Sequence, residues 1–287
     1  MNIIENDFLK VEIADKGAEI KKIINKKNNQ NYIWKGDNNY WGKTAPVLFP
    51  FIGGQKNGKF IVDGKEYSQL KHGFARDNDF KVIEKNQTKI KYLFSYSEDT
   101  LKQYPFKFNL YIIYTLDENR LKTEYIVENL DNKEMYFSIG AHPAFSLLVN
   151  ENIKYEDYYL EFEQEEELKS FIIDGVLLKK EKVNLGKRKI LELKKDTFKN
   201  DAFVFENLKS KEITLKNKKD NRQVKVIFDK FPYLALWNVV NAEFVCIEPW
   251  CGVNDFTDFN GELKDKIGVE KLEELGKFKR ELIFEIV

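Results

Sequence analysis

FNLYIIYTL at residues 108–116 and LKTEYIVE at residues 121–128 are short runs rich in β-branched and aromatic side chains. Apolar and polar residues alternate along much of each, as they do in half-buried strands. Only Asp117-Glu118-Asn119-Arg120 lies between them, so the pair reads as an antiparallel hairpin. The same pattern extends outwards to 8–13 (FLKVEI), 90–97 (IKYLFSYS), 222–228 (RQVKVIF) and 281–287 (ELIFEIV). Turn signals punctuate these runs at Asp15-Lys16-Gly17, Gly53-Gly54, Asp63-Gly64, Asn129-Leu130-Asp131-Asn132 and Lys218-Lys219-Asp220-Asn221. Helical pattern is confined to Ser97–Tyr104, a short capped segment that Pro105 would end. No linker rich in Pro, Gly or Ser divides the chain, and no repeat is visible. The expectation is an all-β fold, one domain over residues 1–287, of sandwich type with large antiparallel sheets. The glutamate-rich stretch 161–167 (EFEQEEE) is expected at a solvated strand edge or in a loop.

Composition narrows the function. The chain has 287 residues, 43% of them hydrophobic, enough for a large core with a folded surface near ~13,000 Å². Lys+Arg and Asp+Glu both number 47, so the basic excess of a nucleic-acid binder is missing and no nucleic-acid partner is expected. The start of the chain lacks a basic region followed by an apolar stretch, and the longest apolar runs fall far short of the ~18 residues of a membrane span. No membrane partner is expected. Cys246 and Cys251 fit no zinc spacing and read as reduced thiols of a cytoplasmic protein.

Three residues carry candidate chemistry. The two histidines, His72 and His142, both sit in tightly punctuated segments. His142 is followed by Pro143, which biases it towards extended backbone, and preceded by Gly140. Each reads either as a directed proton-transfer group or as a histidine that only hydrogen-bonds within its loop. Glu248 lies in the strongly apolar run Phe244–Gly252, between Ile247 and Pro249-Trp250. Desolvation there would raise its pKa and make it a stronger base near neutral pH. The competing reading is an edge-strand glutamate facing water. Arg76, four residues after His72, either reaches the same pocket or forms a surface ion pair with Asp77 or Asp79. Asp201, ahead of Ala202-Phe203-Val204-Phe205, either orients a substrate hydroxyl or forms an Asx-turn. No His-Glu-x-x-His spacing exists, and no metal is expected.

Pro46-Val47-Leu48-Phe49-Pro50, His72-Gly73-Phe74-Ala75-Arg76, Gly140-Ala141-His142-Pro143-Ala144-Phe145 and Glu248-Pro249-Trp250 follow one another in this order. Together they resemble the aldose 1-epimerase (galactose mutarotase) family, in particular its LacX-like branch, over roughly Trp41 to Gly252. Asp201–Phe205 and Tyr233–Trp237 look like further family segments. The resemblance implies a galactose-mutarotase-like β-sandwich and interconversion of the α and β anomers of an aldose without a cofactor. By the same likeness Glu248 is the general base on the anomeric hydroxyl and His142 the acid that protonates the ring oxygen. His72 hydrogen-bonds near the ring oxygen, while Arg76 and Asp201 line the sugar pocket.

The chemistry is consistent with these residue types. Opening a hemiacetal takes a proton from O1 and gives one to O5, and reclosure reverses both transfers. No electrons move, so no redox cofactor is required. Trp237 or Trp250 would face the apolar side of a sugar ring, or serve the core. Two departures bear on substrate: the Asn-Arg motif of some relatives is missing ahead of His72, and Phe51-Ile52-Gly53-Gly54-Gln55-Lys56 lacks the arginine often found there. Lys43, Lys56 or Lys71 would then supply positive charge. The expected partner is a small sugar, an aldohexose or its phosphate, and the expected assembly a monomer or homodimer. Alternatives are a hexose-6-phosphate 1-epimerase and a non-catalytic sugar-binding or sensing module on the same fold. A glycoside hydrolase fits less well, because only Asp201 offers a second acid for Glu248.

Overall fold

The computed structural model describes residues 1–287. Phe108–Asp117 pairs antiparallel with Arg120–Asn129, from Phe108 opposite Asn129 to Asp117 opposite Arg120. Phe108, Leu110, Ile112, Tyr114 and Leu116 are buried, which is the period-two face that drives the strand into the core. Lys89–Ser95 adds to one edge of this hairpin and Lys277–Ile286 to the other, with Gln223–Ile227 beyond it. Leu9–Ile13 belongs to a separate 4-stranded sheet. At Asp63-Gly64 both residues have positive φ (52 and 73), the backbone a two-residue hairpin turn needs, and they join Lys59–Val62 to Lys65–Ser68. The helix runs Glu98–Gln103, capped by reciprocal bonds between Ser97 and Thr100.

The main sheet has 15 strands. Its order begins with Val47–Leu48, Ile139–Ala141, Phe244–Cys251, Tyr233–Trp237 and Phe203–Glu206, then passes through Tyr158–Asp174 towards the 108–129 hairpin. A core of 63 buried residues extends from Ile4 to Ile286. The total accessible surface of 12978 Å² is what a compact chain of this mass should show. No helix is long and apolar enough to cross a membrane.

The stretch 161–167 lies within the strand Tyr158–Asp174, with Glu163, Gln164, Glu165 and Glu167 exposed as expected. Glu166 alone departs from the expectation, being buried rather than solvated. Ser210 explains this: its backbone N–H and its hydroxyl donate to Glu166 Oε1 at 2.6 and 2.7 Å. A buried carboxylate needs such donors.

Candidate active site

Glu248 owes its position to the most enclosed strand of the sheet. Every residue of Phe244–Cys251 is buried. Tyr233–Trp237 pairs with one edge, and two short strands, Ile139–Ala141 and Ala144–Ser146, pair with the other. Val245 and Ile247 pack into the large core, while Phe244, Cys246 and Trp250 face the opposite side with Glu248. The residue across from Glu248 is Ala235, and across from Ala235 is Val204, so small side chains leave space over the carboxyl.

The same pairing delivers His142. Residues 139–141 lie against Trp250 and Cys251, and residues 144–146 against Phe244–Cys246, so His142-Pro143 spans the middle of the strand where Glu248 sits. His142 N–H donates to Pro46 O at 3.1 Å, and Ile247 N–H to Pro143 O at 3.3 Å. His72 is fixed from the other end of the Pro46–Pro50 segment. The N–H groups of Phe74 and Ala75 both donate to Phe49 O at 3.1 Å, and Gly73 passes so close that a Cβ there would lie 2.3 Å from that oxygen. Its φ of 70, beside His72 at 69, makes glycine the residue this turn accepts.

His72 exchanges two bonds with Gly53: its N–H donates to Gly53 O at 2.9 Å, and Gly53 N–H donates to Nδ1 at 3.1 Å. With Nδ1 occupied as an acceptor, the neutral ring carries its hydrogen on Nε2. The two imidazoles stand edge to face, centroids 5.6 Å apart. Trp41 stacks on His142 at 4.7 Å and 26°, and Trp237 meets it edge-on at 5.7 Å. His142 Nε2 stands 3.2 Å from Glu248 Oε2, close but not aligned for a hydrogen bond, so that oxygen is buried without a partner.

Burial dominates the electrostatics. Glu248 is 1% exposed, and desolvation pushes its carboxyl well above the usual range, against the pull of the Lys71 ammonium. Desolvation, with Lys71 adding repulsion, pushes His142 down to about 3. His72 is likewise held well below 6.5 by burial, then by His142, Lys71 and Arg76. Burial thus favours the uncharged carboxyl and the uncharged imidazoles.

All of the residues singled out in the sequence, Glu248, His142, His72, Arg76, Asp201 and Trp237, line one cavity of about 630 Å³. That is the size range of small-molecule sites. Asp201 is exposed at its rim, and its Oδ1 accepts the N–H of Ala202 at 2.7 Å, so local turn and cavity wall coincide. Trp41, Asn254 and Gly175 also line the cavity but carry no motif that would expose them in sequence. Buried polar atoms without partners gather on this lining: Glu248 Oε2, His142 Nδ1, Trp250 Nε1, Arg76 Nε and Asn254 Oδ1. Such atoms call for an explanation, and a polar ligand supplies one. The donor atoms of His142, Cys246 and Glu248 lie within 4.8 Å of one another, a set that could also hold a divalent ion. Burial works against that use, since it pushes both the Cys246 thiol and the Glu248 carboxyl up and each would have to lose its proton.

Fold and site together define an isomerase of the mutarotase type. Residues 2–266 match the family model described as aldose 1-epimerase, and the chain belongs to that family. It is 34% identical to the plasmid-encoded protein LacX of Lactococcus lactis subsp. lactis, over 96% of each chain. A galactose mutarotase related enzyme from Lactobacillus acidophilus superposes with a TM-score of 0.95 at 30% identity, covering 100% of this chain and 97% of that one. A galactose mutarotase-like protein from Lactobacillus casei ATCC 334 gives the same TM-score of 0.95 and 30% identity, covering 100% of both chains. The family sets the ligand class as a small sugar.

Proposed function

We propose that the cavity interconverts the α and β anomers of an aldose by opening and reclosing the ring. The observation that carries this is the 3.2 Å contact between His142 Nε2 and Glu248 Oε2, two buried ionisable groups. Mutarotation needs one such group to take a proton while the other gives one. To open the ring, ionised Glu248 takes the O1 hydrogen as C1=O1 forms, and protonated His142 gives its Nε2 proton to O5 as C1–O5 breaks. What remains is a protonated carboxyl and a neutral imidazole, which is the state that desolvation favours in the empty site. The resting pair is thus matched to the open-chain aldehyde: the carboxyl is ready to protonate the carbonyl oxygen, and the imidazole to take the proton back from O5. A ring-form substrate requires the ionised carboxyl and the protonated imidazole, so a proton must first pass from Glu248 to His142, whose nearest atoms lie 3.2 Å apart.

The remaining residues take supporting parts. His72, with hydrogen on Nε2, serves as a donor towards the ring oxygen and cannot act as base there while Gly53 holds Nδ1. Trp237 and Trp41 flank the His142 ring and offer apolar faces to a pyranose. Both cysteines are buried and free, in keeping with a reducing compartment such as the cytoplasm. Polarimetry or NMR of freshly dissolved α anomers, neutral and charged, tests the reading. Equilibration no faster than buffer across the panel removes it.

A further inference from the structure

Glu19 is 4% exposed and lies outside the cavity lining, yet its carboxylate is tied to the segment on which His142 rests. Its Oε1 accepts the N–H of Thr44 at 2.6 Å and of Ala45 at 3.2 Å, with the Thr44 hydroxyl 2.8 Å away. Lys21 pairs with Oε2 at 2.7 Å. Burial pushes the carboxyl up, but Lys21 and Thr44 outweigh it and hold the pKa below 4.5, so Glu19 is ionised at neutral pH. The backbone behind this anchor is itself fixed. Glu19 O accepts the N–H of Ala14 at 2.9 Å, and Ala18 O accepts the hydroxyl of Tyr114, in the core strand Phe108–Asp117, at 2.8 Å.

Residues 41–46 in turn hold His142. Thr44 O accepts the N–H of Ala144 at 2.9 Å and Pro46 O accepts the N–H of His142, while Trp41 stacks on the imidazole. On the opposite edge Pro143 O accepts the N–H of Ile247, so His142-Pro143 lies between segment 44–46 and the strand that carries Glu248. The placement of Thr44 and Ala45 therefore sets how the imidazole meets the carboxyl. We propose that Glu19 is a positioning residue for the proton-transfer pair, its carboxylate pinning Thr44 and Ala45 so that His142 stays within reach of Glu248. As a statement about catalysis this deepens the mutarotase reading and rests on it. Losing the carboxylate would leave the N–H groups of Thr44 and Ala45 buried without an acceptor, and the segment would shift to satisfy them. Glu166 offers the comparison, a carboxylate likewise buried on a backbone N–H and a hydroxyl, those of Ser210, but outside the cavity lining and without a bond to segment 41–46.

The test compares wild type, Glu19→Ala and Glu166→Ala in anomer exchange of α-glucose and α-galactose, at a temperature well below the Tm of each. Misplacing a reacting group by about 1 Å costs about 10²-fold, so Glu19→Ala should lower kcat by about 10- to 100-fold with KM within about threefold of wild type. Glu166→Ala should keep kcat within about twofold, whatever it does to Tm. The histidine ring signals in NMR give a readout that does not depend on turnover. The chain has two histidines, so each is resolved as its own set. The Trp41 ring stacked on His142 shifts the signals of that imidazole; Glu19→Ala should move them, and Glu166→Ala should leave them in place. An unchanged kcat in folded Glu19→Ala overturns the positioning role and leaves mutarotation standing. Unmoved His142 signals overturn it too, as do losses that Glu166→Ala matches. If no sugar equilibrates faster than in buffer with wild type, mutarotation fails and the His142 signals alone decide. Should Glu19→Ala not fold, Glu19→Asp, one methylene shorter than the same donors require, is read by the same measurements to the same outcomes.

Discussion

Replacing Glu248 by glutamine should make the protein more stable at neutral pH while it disables turnover. The side chain is 1% exposed, its Oε2 has no hydrogen-bond partner, and its folded-state pKa is raised above 4.5 chiefly by burial. A carboxyl with a raised pKa binds its proton more tightly in the folded state. Stability is therefore full below pH 4.5 and is lost as pH rises from 4.5 towards the folded-state pKa. The slope is ~1.4 kcal/mol per pH unit and pH 7 lies about 2.5 units above that reference, so the ceiling on the loss is about 3.4 kcal/mol. Glutamine keeps the shape of the protonated acid and has nothing to ionise. Glu248→Gln should recover up to that amount at pH 7 and almost none at pH 4.5. A recovery of about 2 kcal/mol would raise Tm by roughly 4–8 °C in a chain of this size. Urea titrations of wild type and variant at both pH values measure the difference, and anomer NMR on the same samples should show a rate loss of about 10²–10⁴-fold. A variant no more stable than wild type at pH 7, or one stabilised equally at both pH values, would refute the claim that the carboxyl is desolvated at a cost to the fold. Near-normal rates would refute its role in proton transfer.

The two histidines make the opposite prediction at acid pH. Both have depressed folded-state pKa values, His142 at about 3, so the fold is intact above 6.5 and loses ~1.4 kcal/mol per pH unit for each as pH falls below that reference. Denaturant titrations between pH 7 and 4.5 should show the decline, and His142→Gln should make it shallower; an unchanged slope would contradict a buried neutral imidazole. In kinetics, His142→Asn should lower kcat by about 10²–10⁴-fold and His72→Asn by less, since the latter only donates a hydrogen bond. Equal losses in a stopped anomer-exchange assay would leave the division of roles without support. Gly73→Ala places a methyl group 2.3 Å from Phe49 O at φ 70, and should lower stability by more than ~2 kcal/mol and displace His72. A calorimetric Tm within 2 °C of wild type would mean that the turn relaxes freely.

How much of this was readable before folding depends on whether the cause is local. The 108–129 hairpin was legible because one face of it is buried and the alternation records that face. The helix at Glu98–Gln103 was legible because its cap is built from neighbours, Ser97 and Thr100. Strand Leu177–Glu192 shows no periodicity, since long stretches of it are exposed on both faces and lysine-rich. Glu166 could not be recognised as buried, because the donors that satisfy it come from Ser210, far along the chain. For the site, rarity helped: with two histidines and one carboxylate in an apolar run, the reacting groups stood out as residue types. Trp41 and Asn254 did not, as their place on the cavity wall arises only from tertiary contacts.

The arrangement also gives a reason for the proposed reacting groups to come from distant motifs instead of one. A short local motif would place two ionisable groups on the same loop, where solvent keeps their pKa values ordinary. Here the Pro46–Pro50 segment accepts hydrogen bonds from both histidine-bearing segments, while strand Phe244–Cys251 supplies the carboxyl from inside the sheet. Each group is thereby desolvated by a different part of the core, the acid upwards and the imidazoles downwards. Those opposed displacements favour the neutral pair, carboxyl beside imidazole, which in the proposed cycle is the form that meets an open-chain sugar. Lys71 works against this by favouring the ionised carboxyl, the form that the proposed cycle uses to open a ring.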